Sequence, residues 1–444
     1  LRSIGGDFEM NVSSGTCSSS LASLTSFEGL ENLAIIGKSL IIKASSSSDY
    51  KISSSLDNLI SFKGLNSLKS IEKDFIIDVS ARSSNYATVS SFSLKSLATF
   101  EGLENLETIG GNFKINSSAT SHAGSASSFN ELISFKGLGK LQRVGGHFEI
   151  NSSSFYGPEY LDNSSSSLNA LTSFEGLENL STIGGNFKIN TLTKNNKYKS
   201  NKTSYSLNTL KSFNGLNNLS SIGKNFEIKA DAIITSSSFY SSYLSSLNSL
   251  ESLEGLNNLI SIGGDFIISS SSSENISSLE SLKSFNGLNK LNRINGAFYL
   301  QEKSSISLNS FEGLENITTI GSNFNLSSKN LISFKGLERL NSINGDLNIT
   351  YSKALETIED IKNLQAITGD LFIHDCNMLH NINSFVNLNT VKSISIKNCP
   401  KLYDFCAFKI VVKNTDCNFY TESNGYNPTK YQLLNGECSK LPEE

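Results

Sequence analysis

The sequence predicts an all-β fold, a parallel β-solenoid of about 12–13 stacked coils with Ser-rich insertions along one edge. Three observations predict it. One unit, L-x-S-F-x-G-L-x-x-L-x-x-I-G-x-x-F-x-I, recurs along most of the chain: residues 97–115 read LATFEGLENLETIGGNFKI and residues 171–189 read LTSFEGLENLSTIGGNFKI. The F-x-I end of the unit alternates with the period of a strand. Exposed positions change charge from one copy to the next, as strands stacked in parallel register require.

Each element of the unit has a physical reading. F-x-I is a short strand with two residues turned inward. L-x-x-L-x-x-I changes direction every three residues, which suits short faces joined by corners. The glycine of F-x-G-L recurs at Gly29, Gly64, Gly102, Gly137, Gly176, Gly215, Gly255, Gly287, Gly313 and Gly336, and with the I-G-G pair marks turns that need positive φ or close backbone approach. Late copies recur about every 23–26 residues and early ones about every 32–40, because a Ser-rich stretch follows each early F-x-I. Three stretches result: 1–310, coils with long insertions; 311–400, compact coils; and 401–444, outside the repeat. A half copy, LRSIGGDFEM, opens the chain, which reads as a processed or incomplete N-terminus.

The columns of a stack follow from this register. Phe27, Phe62, Phe100, Phe135, Phe174 and Phe213 make one buried ladder, and Phe75, Phe113, Phe148 and Phe187 another. The residue after the first Phe runs Glu28, Lys63, Glu101, Lys136, Glu175, and Lys114, Glu149, Lys188 and Glu227 alternate within F-x-I. Such alternation is what stacking demands, and it fixes the stack as parallel.

Composition narrows the function classes. A formal net charge of −4 over 444 residues gives no reason to expect nucleic acid or an anionic membrane as partner. No apolar run approaches the roughly 18 residues of a membrane span. The four histidines lack metal-ligand spacing; His374 and His380 near Asp375 form only a weak constellation. Asp7, Asp265, Asp346 and Asp370 share a column, and Asp346 and Asp370 on adjacent coils are the one candidate pair for calcium. There is no G-x-S-x-G elbow, and the glycines of I-G-G precede a strand rather than a phosphate-cradling helix. The expectation is a protein that is not an enzyme and needs no cofactor or metal.

The segment G-L-x-x-L-x-x-I-G-G-x-F-x-I resembles the receptor L-domain, a leucine-rich-repeat-like right-handed β-helix, and especially long arrays of it in secreted surface proteins of Bacteroidota. Asp404-Phe405-Cys406, Gly425-Tyr426-Asn427-Pro428-Thr429 and Gly436-Glu437-Cys438 resemble the C-terminal cap of those arrays. The resemblance implies an extracellular or cell-surface location, makes 401–444 the cap, and pairs Cys406 with Cys438 in a disulfide.

Six cysteines in an exported chain suggest further bridges. Cys376 and Cys399 each follow the last Ile of an F-x-I-type strand by three residues, so they share a column one coil apart, and a bridge between them is expected. Cys17 and Cys417 then remain. Either they are free or the cap pairs differently, or Cys17 of one subunit joins Cys417 of the next in a head-to-tail filament. The insertions carry Tyr156, Tyr160, Tyr240 and Tyr243, which either pack over the coils or form a partner- or glycan-binding surface. Asn116, Asn151, Asn163, Asn201 and Asn275 stand in N-x-S/T, a motif this composition also produces by chance. The functional expectation is a structural or adhesive extracellular protein, with self, a glycan or another surface protein as partner. The alternative is a monomeric ligand-binding receptor or adhesin.

Overall fold

The computed structural model describes residues 1–15, 19–21, 23–48, 52–83, 90–122, 125–156, 164–195, 203–234, 243–272, 277–302, 306–415 and 417–441. These form a mostly β parallel solenoid divided into two compact units. The first unit holds Leu1–Gly223, Glu227–Glu251 and Ser270–Glu280; the second holds Lys224–Phe226, Ser252–Ser269 and Ser281–Glu444.

In the first unit each coil contributes a two-residue strand ending in the Ile or Val of the I-G step, as at Ser70–Ile71, Thr108–Ile109 and Arg143–Val144. A long strand follows, as at Phe75–Ser83, Phe113–Ser121 and Phe148–Tyr156. Both kinds pair in parallel with their copies in the next coil, Phe to Phe and Ile to Ile. The two Phe ladders fill the interior: Phe62, Phe100 and Phe135 stack with centroids 5.6 and 5.5 Å apart, and Phe113 lies 4.9 Å from Phe148. Offset ring pairs of this kind add about 0.5–1.5 kcal/mol each beyond the area they bury.

The glycine of F-x-G-L sets how closely coils approach. All ten copies have φ between 100° and 108°. A Cβ built at Gly137 would overlap the carbonyl of Phe100, and one at Gly64 the carbonyl of Phe27, whereas Gly29 has nothing near it. The glycine therefore gives the chain its turn and lets the preceding coil's backbone lie against it.

The described parts of the Ser-rich stretches form β layers. In the first unit the long strand continues past F-x-I to nine residues, with every second side chain buried. A short strand then returns beside it, as at Ser53–Ser55, Ser91–Ser93, Ala126–Ser128 and Ser164–Ser167, and these too pair in parallel from coil to coil. The buried serines of the two layers face each other. Ser167 Oγ donates to Ser117 O at 2.9 Å and lies 2.8 Å from Ser117 Oγ, while Ser152 Oγ donates to Ser167 O at 2.9 Å. Each returning serine thus joins its own long strand to the one a coil before. Ser46, Ser91 and Ser93 repeat the pattern at 2.7 and 3.0 Å. A serine inside a protein is tolerated because its hydroxyl is satisfied, and its small volume lets the two layers close without a gap.

The chain leaves this zipper through a strained turn. Leu56, Leu94, Phe129, Leu168, Leu207, Leu247 and Leu279 all sit at φ 47–55°, a left-handed conformation, and all are fully buried. The backbone cost is about 1–2 kcal/mol per residue. Burying the side chain returns about 1.5–3 kcal/mol, so the strained turn persists.

In the second unit the long strands shorten to Phe298–Glu302, Phe324–Ser327, Leu347–Thr350 and Leu371–His374. The last, Asn418–Glu422, pairs in parallel with Ser393–Lys397. Around it a cap closes the stack. The Cys406–Cys438 disulfide is formed. A short helix, Lys430–Asn435, begins at a Thr429–Gln432 capping box and ends at left-handed Gly436.

Two substitutions test the packing by thermal or urea denaturation. Gly137→Ala should destabilise by more than about 3 kcal/mol, through overlap added to backbone strain, and Gly29→Ala by only about 1–2 kcal/mol. Ser167→Ala should cost about 1 kcal/mol, because it removes the hydroxyl that bonds to Ser117 and Ser152 and so joins the two long strands.

Candidate functional site

Alternation along the long strands leaves every second side chain of the first unit on a broad outer face. Lys114, Asn116, Ser118 and Thr120 lie beside Glu149, Asn151, Ser153 and Phe155, and these beside Lys188, Asn190, Leu192 and Lys194. Register turns the alternating charges into ion pairs, Lys114–Glu149 at 3.2 Å and Lys188–Glu227 at 3.3 Å. The other charged column pairs likewise, with Lys63–Glu101 at 3.2 Å and Lys136–Glu175 at 3.1 Å. The exposed Lys63–Glu101 and Lys136–Glu175 pairs contribute little to stability, and all four pairs cancel charge along their columns.

Next to the charge column, Asn151 Nδ2 donates to Asn116 Oδ1 at 3.0 Å. Over these amides lies a shallow open depression of about 320 Å³, bordered by Asn190, Ser118 and Ser153, with Asp78 at one end and Phe155 along one side. The second unit carries a smaller echo. Its outer column runs Tyr299, Asn325, Asn348, Phe372, and Asn348 Nδ2 donates to Asn325 Oδ1 at 2.9 Å. The asparagine of F-x-I-N in three consecutive copies, on the outward parity, was the signal for this face.

The aspartate column accepts backbone N–H groups of the neighbouring coil. Asp7 Oδ1 accepts the N–H of Ser39, Asp74 Oδ1 that of Asn112, Asn112 Oδ1 that of His147, and His147 Nδ1 that of Asn186. In the second unit Asp265 Oδ1 accepts Ala297 N–H, and Asp346 Oδ1 accepts Asp370 N–H. A second ladder follows the strained turn, where Asn130, Asn169 and Asn208 each accept the N–H one coil on. His374 Nε2 lies 3.0 Å from Ser395 Oγ, and burial together with Lys397 lowers its pKa. Asp375 Oδ1 accepts from Asn398. Among the described residues no three His, Cys, Asp or Glu gather as metal ligands.

Of the expected disulfides, Cys406–Cys438 is present and Cys376–Cys399 is not. Both latter residues are buried free thiols, in the same column as expected. Each follows a left-handed residue, Asp375 or Asn398, past the end of its strand. The thiols instead interact with each other and with carbonyls, Cys376 Sγ 3.5 Å from His374 O and Cys399 Sγ 3.3 Å from Lys397 O; this pairing, with burial, raises the Cys376 pKa. Cys417 is also a free thiol, 1% exposed, so pairing with another subunit would require the cap to open. Cys17 lies outside the described residues.

The tyrosines named from the insertions are not brought together by anything described. Tyr160 and Tyr240 lie outside the described residues, and Tyr156 and Tyr243 are placed by backbone alone, at the end of one strand and the start of another. Asn163, Asn201 and Asn275 also lie outside them. Asn116 and Asn151 are half-buried in mid-strand, in the amide pair already described.

One buried charge stands apart. Glu302 occupies the inward parity of Phe298–Glu302 and is 4% exposed. Its Oε2 accepts Lys329 N–H at 3.2 Å, while Oε1 is buried with no partner among the described residues. Burial pushes its carboxyl up to about 7. An acidic residue on the inward parity of F-x-L-x-E was visible in the sequence but not singled out.

No family model and no curated protein matches the chain. Solved structures do give matches. One, a crystal structure of a TLR13–ssRNA13 complex, aligns over 92% of this chain and 77% of that chain at 14% identity, with a TM-score of 0.16. A likeness that slight carries no argument about this chain.

Glu302 gives a pH prediction. It binds its proton more tightly folded than unfolded, so its contribution is fully present below the ordinary glutamate pKa. It is lost as pH rises to about 7, by about 3 kcal/mol in all. Glu302→Gln should therefore melt like the parent at pH 4 and above it at pH 8. Equal melting at pH 8 would sink the assignment.

Proposed function

We propose that the chain is a non-catalytic extracellular surface protein, structural or adhesive. The observation that carries this reading is where its polar side chains go. The aspartates, asparagines and a histidine beside the strands cap backbone N–H groups of the next coil, and the insertion serines hold two β layers together. What remains to meet a partner is broad, regular sheet surface. The disulfide in the cap supports an oxidising, extracytoplasmic location. The likeness of the repeat and cap motifs to receptor L-domain arrays of secreted Bacteroidota-type surface proteins, with their right-handed leucine-rich-repeat-like coils, points the same way.

Within this reading the chain assembles head-to-tail with copies of itself or binds a surface glycan or protein. The buried Cys417 favours a non-covalent contact over a Cys17–Cys417 bridge. The monomeric adhesin is the second reading, and the depression over Asn116 and Asn151 favours it.

Electron microscopy of purified native material, with and without reductant, separates these. Filaments that survive reduction are expected for non-covalent assembly, and filaments lost on reduction would implicate the cysteines. Discrete particles in both conditions would remove the filament and leave the adhesin.

A further inference from the structure

We propose that the depression on the outer face of the first unit binds a neutral oligosaccharide chain, laid along the stacking direction across the strands that carry Asn116, Asn151 and Asn190. The proposal rests on the adhesive reading and adds a place and a ligand class to it.

Three features of the face select this ligand. The first is the kind and spacing of its polar groups. Carboxamides repeat once per coil, about 4.8 Å apart, with Ser118 and Ser153 hydroxyls beside them. One N–H of Asn151 is engaged by Asn116, which fixes both amide planes. The second N–H of Asn151 and the N–H groups of Asn116 remain as donors, next to oxygens that accept. Sugar hydroxyls donate and accept at once, so a row of amides and hydroxyls matches them in both senses. A ligand with only one sense of hydrogen bonding would leave half the row unpaired.

The second feature is Phe155, half-buried along the side of the depression. A pyranose ring has an apolar C–H face, and an aromatic ring beside fixed polar groups offers it a matching surface. The third is charge. Lys114 and Lys188 on the neighbouring column are neutralised by Glu149 and Glu227, and the charged border residue Asp78 is acidic. The lining itself therefore offers no cation to a sulfated or uronic-acid polymer, Lys194 lying beside Phe155 outside it, and neutral chains lose nothing. The openness of the depression suits a chain that passes through it rather than a small molecule enclosed by it.

The test is affinity electrophoresis of the full chain in native gels containing a neutral β-glucan, an α-mannan or a galactan, with alginate as the anionic comparison. The parent should be retarded by at least one neutral polymer and not by alginate. Phe155→Ala, which removes an outer-face ring, and Asn190→Asp, which keeps shape but adds charge, should each weaken retardation at least tenfold, with circular dichroism unchanged. Retardation equal to the parent's in both variants would place binding elsewhere and overturn this site while leaving the adhesive reading intact. No retardation by any of the neutral polymers, or retardation by alginate alone, would overturn the ligand class. The microscopy above decides the assembly question independently.

Discussion

The approach of one coil's backbone to the next is the constraint on which the rest of this structure depends. At Gly64, Gly102, Gly137 and their counterparts, the carbonyl of the preceding coil's Phe occupies the space where a Cβ would be. That contact admits no slip of register, because a shift of one residue would put a side chain there. With register fixed, every column becomes a column of like residues. Phe stacks on Phe, Lys meets Glu, and a carboxamide meets the next coil's N–H.

The serine zipper shows the same constraint producing a core built largely from hydroxyls, with small apolar residues such as Ala81, Ala119 and Ala126 among them. Most solenoid coils bury branched aliphatic and aromatic residues, as the Phe and Leu columns do here. Where the long strands run past F-x-I, the two layers enclose serine hydroxyls joined to another hydroxyl or a carbonyl, as at Ser117, Ser152 and Ser206. Burying a lone hydroxyl is costly, and burying a paired one is nearly neutral. The net stabilisation comes from the backbone ladders that the pairing allows to form and from the buried Leu at each strained turn.

This division of labour shapes what the surface offers. Residues that look chemical in one dimension, such as the Asp column or His147, hold backbone groups in three. The outward parity of the long strands is left free of that duty. It presents amides, hydroxyls and self-compensated charge.

The sequence by itself determined the coil. The repeat, the Phe columns, the charge alternation and the glycine of F-x-G-L were all legible, because each is a local periodicity that stacking merely multiplies. The Cys406–Cys438 pair was legible from the cap motifs. The tertiary structure alone decided the rest. The Ser-rich stretches read as insertions because Ser carries little strand signal of its own, and only two facing layers give its hydroxyl a partner. The Cys376–Cys399 column was placed correctly, yet its thiols stay unbonded. Sequence assigns residues to columns; whether neighbours in a column bond, cap or merely stack depends on the direction of each side chain, which only the assembled coils fix.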